Sequence, residues 1–300
     1  MAVYFTYSSP EIGACGDGAF RDDALMRRIE IKTSDDAGTV LSAAEAFLTR
    51  TPVEHNLVLT ILHERAAHPE PGRYWTVSAD RRFAGLAFQS PPTFPAVLTE
   101  VPPECIEELV NSMAAGQPGL PGVVGEAGTA ARFAGCWAER LKIPVTPVEA
   151  QRLYRLTTLH PPPAASGSLR AASESDFDLV YEWMQEFQRE TGATVASPAM
   201  LRRRLEAGLI SIWDDGKPVS MAAVTKPVAQ TVRVGLVYTP TGNRGRGYAA
   251  SCVAAVSRAA LDGGALHCVL YTQLSNPQSN AIYSRLGYEP VLEQLSYRFG

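Results

Sequence analysis

The sequence predicts an α+β (α/β mixed) chain of two similar units, and three observations carry that prediction. Its 300 residues, 46% apolar and 19% charged, suit an ordinary globular protein of about two domains. A stretch of proline and small residues at 160–168, His-Pro-Pro-Pro-Ala-Ala-Ser-Gly-Ser, punctuates the chain as a joint between domains does. On either side of it, strand-like and helix-like patterns follow one another in the same outline order. The predicted division is a partly disordered segment 1–28, a first domain 29–160, a linker 161–167 and a second domain 168–300.

In the first unit, 29–32 is strand-like, 35–49 and 53–67 are helical, and three short β runs follow at 74–79, 83–89 and 96–101. A helix begins after Pro102 and Pro103, because proline fits a first helical turn. A strand-like Val123-Val124, a helix at 129–141 and a β run at 151–159 complete the unit. The second unit opens with a strand at 169–171, helices at 176–189 and 198–207, and strands at 209–213 and 219–225 joined by the turn signal Asp215-Gly216. A strand at 231–239, a helix at 248–261 stopped by Gly263-Gly264, a strand at 266–272, a short helix and a strand at 295–299 end it. Residues 266–271 are almost wholly apolar, which predicts a central strand covered on both faces.

The chemistry concentrates between the strand 231–239 and the helix 248–261, where the chain reads Arg244-Gly245-Arg246-Gly247-Tyr248-Ala249. Small residues at Gly245, Gly247 and Ala249 let successive N–H groups point into one concavity, and the helix adds the positive end of its dipole. Phosphate is the natural guest. A Walker A loop is excluded, because no Gly-Lys-Ser/Thr follows: the residues after Gly247 are Tyr248, Ala249 and Ala250. Gly245, Gly247 and Ala250 do fit G-x-G-x-x-A, yet 270–273 contains no ribose-binding acid, and too little chain remains for a doubly wound sheet.

The segment after 266–272 adds a second signal. Asn276 is a good N-cap, Pro277 a good first helical residue, and Gly287 suits the left-handed position past the last turn. On this short helix Asn276, Asn280 and Tyr283 follow a spacing of four then three, which predicts one polar face, with Ile282 and Leu286 on another.

Arg244-x-x-Gly247-x-Ala249, together with the Asn- and Tyr-bearing segment 276–287 and the lead-in Val237-Tyr238-Thr239-Pro240, resembles the GNAT superfamily of acyl-CoA-dependent N-acetyltransferases over roughly 168–299. The resemblance implies two GNAT-like domains, each a mixed central sheet flanked by helices, with acetyl-CoA as co-substrate entering where strands 231–239 and 266–272 diverge. It implies that backbone at Val237, Tyr238 and Thr239 holds the pantetheine arm. The amides of Gly245, Arg246, Gly247, Tyr248, Ala249 and Ala250 would hold the pyrophosphate, with Arg244 and Arg246 adding positive charge. Asn276 and Asn280 would touch the cofactor and Tyr283 would face its sulfur. The first unit is then a degenerate copy, since 100–104 has neither glycine nor arginine and 129–141 no Asn and Tyr face; the reading gives it the part of supporting the fold and shaping the acceptor cleft.

Amine attack on a thioester needs alignment, a donor for the developing oxyanion and a proton for the departing thiolate. A strand N–H near Val237 and the Tyr283 phenol are the candidates. The amine must first lose a proton, and here the chain departs from the family: 230–239 contains no carboxylate where many relatives carry a glutamate. Glu186 and Glu190 on the helix 177–190 are weak alternatives, and neither is assigned. The expected activity is transfer of an acetyl or other short acyl group to a primary amine in a ternary complex. A non-catalytic coenzyme A sensor or scaffold is the alternative, and an NAD-dependent dehydrogenase ranks below both.

A formal net charge of −4 argues against a nucleic-acid binder. No apolar run approaches the roughly 20 residues that span a bilayer, so the chain is expected in the cytoplasm, away from membranes. The five cysteines, Cys15, Cys105, Cys136, Cys252 and Cys268, form no C-x-x-C pair and read as reduced thiols. His267 beside Cys268 is no nucleophile pair, because neighbours on a strand face opposite ways, and His55, His63, His68 and His160 lack ligand spacing, so no metal is expected. The partner is an amine on a small molecule or peptide, and the chain is a monomer or homodimer.

Overall fold

The computed structural model describes residues 28–116, 119–163, 165–192 and 197–300. The segment 1–28 and Cys15 within it lie outside the described residues, Arg28 apart. The chain runs β1 (Ile29–Ser34), α1 (Ala37–Leu48), α2 (Asn56–Ala67), β2 (Arg73–Ala79), β3 (Arg82–Gln89), β4 (Ala96–Leu98), α3 (Ile106–Gly116), β5 (Gly122–Glu126), α4 (Ala127–Leu141) and β6 (Val145–Leu156). It continues as β7 (Ser168–Ala171), α5 (Phe177–Thr191), α6 (Pro198–Glu206), β8 (Ile210–Asp214), β9 (Pro218–Val224), β10 (Thr231–Tyr238), α7 (Tyr248–Asp262), β11 (His267–Gln273), α8 (Pro277–Arg285) and β12 (Glu289–Phe299).

Every helix read from the sequence forms, and side-chain caps mark where several of them start. Asp36 Oδ1 accepts from the Thr39 N–H at 2.5 Å, so α1 begins just after Asp36. Ser197 Oγ accepts from the Met200 N–H at 3.3 Å ahead of Pro198, which starts α6. Two strands begin well before their predicted starts: β6 at Val145 and β12 at Glu289. Their first halves, Val-Thr-Pro-Val-Glu-Ala and Glu-Pro-Val-Leu-Glu-Gln, carry a proline and no regular alternation and are largely only half-buried or exposed, so apolar periodicity gave no sign of them.

Two compact units result. The first holds the described residues up to Thr51, Ile61–Gln151 and Leu292–Gly300; the second holds Pro52–Thr60 and Arg152–Val291. The division predicted at 161–167 differs from this one, because that stretch lies inside the second unit and the chain's last residues belong to the first. Pairing decides membership. β12 runs antiparallel to β5, with Leu295 opposite Gly125 and Tyr297 opposite Val123. Gly122 permits that approach, since a Cβ there would collide with the Tyr297 carbonyl oxygen.

The first unit's sheet has the order β1-β2-β3-β4-β5-β12, with β4 and β5 parallel and the other pairs antiparallel. Trp75, Met113, Phe133, Trp137, Leu295, Tyr297 and Phe299 share its core. The Phe299 ring stacks 5.5 Å from Trp137 and 6.5 Å from Phe133.

The second unit's sheet has the order β6-β11-β10-β9-β8-β7. β10 and β11 are parallel, while β10–β9, β9–β8 and β8–β7 are antiparallel. Alternation along β9 sends Ala222 to one face, with Cys252 and Val253 of α7 and Tyr283 and Leu286 of α8. It sends Met221 and Ala223 to the other, with Val180 and Trp183 of α5 and Leu201 of α6. Arg233 of β10 donates to Asn56 Oδ1 at 3.1 Å and Thr60 Oγ1 at 2.7 Å, which ties 52–60 to this unit. The start of α5 is pinned by Arg170, which donates to both Asp176 oxygens at 2.8 Å and to Asp214 at 3.0 Å.

Candidate functional site

β10 pairs in parallel with β11 from Thr231↔His267 to Arg233↔Val269, and then its course changes. Against β9 its register slips between Gly235 and Tyr238, where two residues oppose one and Leu236 takes a φ of 48°. A bulge with a left-handed non-glycine residue is a bend that the surrounding structure must enforce. The expected divergence of 231–239 from 266–272 therefore falls just beyond Arg233. Ser220 of β9 secures the end of the bulged strand: its hydroxyl donates to the Tyr238 carbonyl at 3.0 Å and lies 2.8 Å from Thr239 Oγ1.

After Tyr238 a short 3-10 turn, Thr241–Asn243, leads through Arg244 into Gly245 and Gly247, at φ 79° and 82°. Those left-handed positions are why glycine stands there. α7 then starts with Gly247 as an N-cap that brings no side chain, and no acid lies in its first turn. Its first helical N–H bond runs from Ser251 to the Gly247 carbonyl at 3.0 Å. The N–H groups of Tyr248, Ala249 and Ala250 thus have no acceptor within the helix, and no acid of the helix's own first turn meets the dipole's positive end.

They open on a cavity of about 530 Å³. One wall is Thr239 and the loop from Asn243 to Ala250. A second is Gln278, Ile282, Arg285 and Leu286 of α8, and a third is Pro161, Pro162, Pro163 and Ala165. The sequence reading missed the last two walls. Gln278, Ile282 and Arg285 share the four-then-three spacing that was applied to the asparagines and the tyrosine, so a signal existed. The prolines were taken up by the linker reading.

Three predicted site residues stand differently from expectation. Arg244 donates through Nη2 to both Glu190 oxygens at 2.7 Å and through Nε to the Thr239 carbonyl at 2.9 Å, so Glu190 already neutralises its charge. Asn280 Nδ2 donates to the carbonyls of Gln273 at 3.0 Å and Asn276 at 2.7 Å, and its Oδ1 accepts from the Tyr154 hydroxyl at 2.9 Å. These bonds dock α8 on the end of β11. Tyr283 is not on a polar stripe: it is the buried residue of α8, 8% exposed, in the apolar cluster with Leu286 and edge-on to Tyr288 at 5.9 Å. It is not among the residues lining the cavity, whereas Ile282 and Leu286 are. Packing chose the buried face, because nine residues carry too little apolar pattern to set it. Asn276 does cap α8, its Oδ1 accepting from the Ser279 N–H at 3.0 Å.

Burial pushes the Tyr283 phenol up to about 12, so it is a protonated donor at neutral pH. The Tyr238 phenol also rises to about 12, first by burial and then because it donates to Glu186 Oε2 at 2.8 Å. Both weak base candidates are thereby engaged, Glu186 by Tyr238 and Glu190 by Arg244. Asp215 accepts from Tyr248 at 2.6 Å and Ser166 at 2.8 Å, and these bonds, with Arg246 nearby, hold its carboxyl below the ordinary range. Cys268 is fully buried and desolvation raises its thiol to about 11, which suits a core residue rather than a nucleophile.

The matching place in the first unit has different chemistry. A cavity of about 470 Å³ lies between Glu100–Pro103 and the start of α4. There Glu126 occupies the helix N-terminus, accepting from the N–H groups of Gly128 and Thr129 at 2.9 Å. Glu107 and Glu108 fill the first turn of α3. Glu100 and Glu126 line this cavity beside a single arginine, Arg132, and Glu126 already occupies the helix N–H groups that an anion would use. Among the described residues no group of three or more His, Cys, Asp or Glu could hold a metal ion. No helix among them is long and apolar enough to cross a membrane.

Comparison with known proteins agrees with this geometry. The sequence model of the Acetyltransferase (GNAT) family matches residues 175–288. No curated protein matches the chain's sequence. Among solved structures, a GNAT-family acetyltransferase from Colwellia psychrerythraea is similar at TM-score 0.57 and 14% identity, covering 90% of this chain and 99% of that one. A GCN5-related N-acetyltransferase from Sphaerobacter thermophilus is similar at TM-score 0.61 and 15% identity, over 90% and 95%. A tandem GNAT protein from the clavulanic acid biosynthesis pathway is similar at TM-score 0.55 and 13% identity, over 91% and 98%. At such identities the likeness is one of fold, and it spans both units, as two GNAT-like domains require.

Proposed function

We propose that this protein, whose residues 175–288 are a domain of the Acetyltransferase (GNAT) family, moves an acetyl or other short acyl group from acyl-CoA to a primary amine by direct attack in a ternary complex. The observation that carries the reading is the uncapped start of α7, where Gly247 brings no side chain to the first-turn amides beside the 530 Å³ cavity. Those amides and the helix dipole suit a diphosphate. Arg246 and Arg285 line the same cavity and add positive charge, Arg246 with the Asp215 carboxylate nearby. Arg244 contributes by bracing the loop through Glu190 and the Thr239 carbonyl.

In this reading the backbone from Val237 to Thr239 holds the pantetheine arm, and a strand N–H near the bulge polarises the thioester carbonyl. Tyr283 protonates the departing thiolate; its phenol, raised to about 12, keeps its proton throughout the working range. Asn276 and Asn280 act by holding α8 in place. The amine loses its proton to water, since Glu186 and Glu190 are committed to Tyr238 and Arg244. The first unit is non-catalytic, the acceptor is an amine on a small molecule or peptide, and the chain works as a monomer or homodimer. The four described cysteines, buried thiols outside any disulfide, fit residence in the reducing cytoplasm.

The test is thiol release from acetyl-CoA with pooled primary amines, wild type beside Tyr283→Phe, with NAD as the control ligand in thermal shift. Wild type should turn over, and the variant should lose about tenfold to a hundredfold in kcat with little change in KM. Stabilisation by NAD alone would overturn the reading. Binding of acetyl-CoA without turnover on any amine would favour a sensor.

A further inference from the structure

The proline-rich stretch that reads as a linker is built into the cavity beside α7. It is fastened at both ends. The His160 N–H donates to the Leu286 carbonyl at 2.9 Å, next to the end of α8. At the other end Trp213 Nε1 donates to the Ser166 carbonyl at 2.8 Å, and the Ser166 hydroxyl donates to Asp215, which also accepts from Tyr248 of α7. Ala165 lies so near the loop that a Cβ on Gly247 would come within 3.7 Å of its own. A chain that only spanned two domains would need none of these bonds.

Pro161, Pro162 and Pro163 have fixed φ and no N–H, so the strap they form is stiff and offers no donor to a phosphate. With Ile282 and Leu286 they give the cavity an apolar side, opposite in chemistry to the amides and arginines. A diphosphate alone has no use for such a surface. A diphosphate carrying a nucleoside does, because a flat base gains by packing one face against apolar rings.

We infer that Pro161–Pro163, held by the His160 and Ser166 anchors, form the wall against which the nucleoside of the acyl donor packs, so that this strap selects a nucleotide-bearing donor over its diphosphate alone. The inference rests on the acyl-CoA reading and goes beyond it by naming residues outside the matched region 175–288.

The experiment is calorimetric titration of wild type and of the triple variant Pro161→Gly/Pro162→Gly/Pro163→Gly with coenzyme A, ADP and inorganic pyrophosphate, alongside steady-state kinetics. The variant should bind coenzyme A and ADP about tenfold more weakly, as loss of one base-packing surface predicts. Its pyrophosphate affinity should fall clearly less than its coenzyme A affinity, and its KM for acetyl-CoA should rise more than its kcat falls. Equal loss for all three ligands, or no loss for any in a folded variant, overturns the wall. If the triple variant does not fold, Pro162→Ala reads the same ratio at about threefold, and an unchanged ratio there also overturns it. Wild type that binds neither coenzyme A nor pyrophosphate overturns the acyl-CoA reading itself, and the wall with it.

Discussion

Gly247 joins a backbone requirement to a binding one. Its φ of 82° is in the left-handed region, and an added Cβ would meet nothing nearer than 3.7 Å, so space exists for a methyl group but the conformation opposes it. Gly247→Ala should therefore cost about 1–2 kcal/mol in the loop, and the strain is relieved by turning the first amides of α7 out of their cradle. The expected outcome is an acetyl-CoA Kd raised about tenfold, read by calorimetry, with circular dichroism unchanged. This residue was legible in the sequence because glycine after a strand and before a helix has a backbone reason. Tyr283 was legible as a residue of interest but not in its surroundings, since burial against Tyr288 and Leu286 depends on partners distant in sequence. Arg244 was misjudged in a similar way, because only the fold brings Glu190 within 2.7 Å of it.

At the scale of the element, the two units differ in how the helix after their fourth strand begins. α3 carries Glu107 and Glu108 in its first turn and α7 carries no acid there, and that contrast was half-visible in the sequence as glycines present before α7 and missing before α3. What the letters could not show is that Glu126 caps α4 through the N–H groups of Gly128 and Thr129, because a glutamate one residue before a helix is common without that role. α5 depends on an ionic start: the Arg170 hydrogen bonds, ahead of bonds from Ser173, hold the Asp176 carboxyl far below the usual carboxylate range. A depressed carboxylate stabilises the fold above its unfolded pKa of about 3.9 and loses that contribution as pH falls below it. Asp176→Asn should cost about 2 kcal/mol at pH 7. The wild-type advantage in urea midpoint should shrink as pH is lowered from 5 towards 3; an advantage that grows on acidification would contradict the assignment.

Across the whole molecule, element order was readable almost throughout, and membership was not. The sequence suggested a cut near 161–167, whereas Leu292–Gly300 belong to the first unit and Arg152–Leu156 of β6 to the second. Strand partners are long-range facts, and the only local hint was Gly122, whose missing Cβ makes room for Tyr297. Phe299, 8% exposed and stacked on Trp137, makes the last strand part of the first unit's core. Phe299→Ala should destabilise by about 3 kcal/mol, with hydrogen exchange rising in β5 and α4. Loss confined to the second unit would contradict that membership. Acyl transfer here turns on the loop before α7 gripping the donor's diphosphate, and the most direct measurement follows the backbone amides of Gly245–Ala250 by NMR during titration with coenzyme A. The amide resonances of Tyr248, Ala249 and Ala250 should move in a saturable way as their N–H groups gain an anionic acceptor. Saturation by coenzyme A that leaves those three unmoved would contradict it.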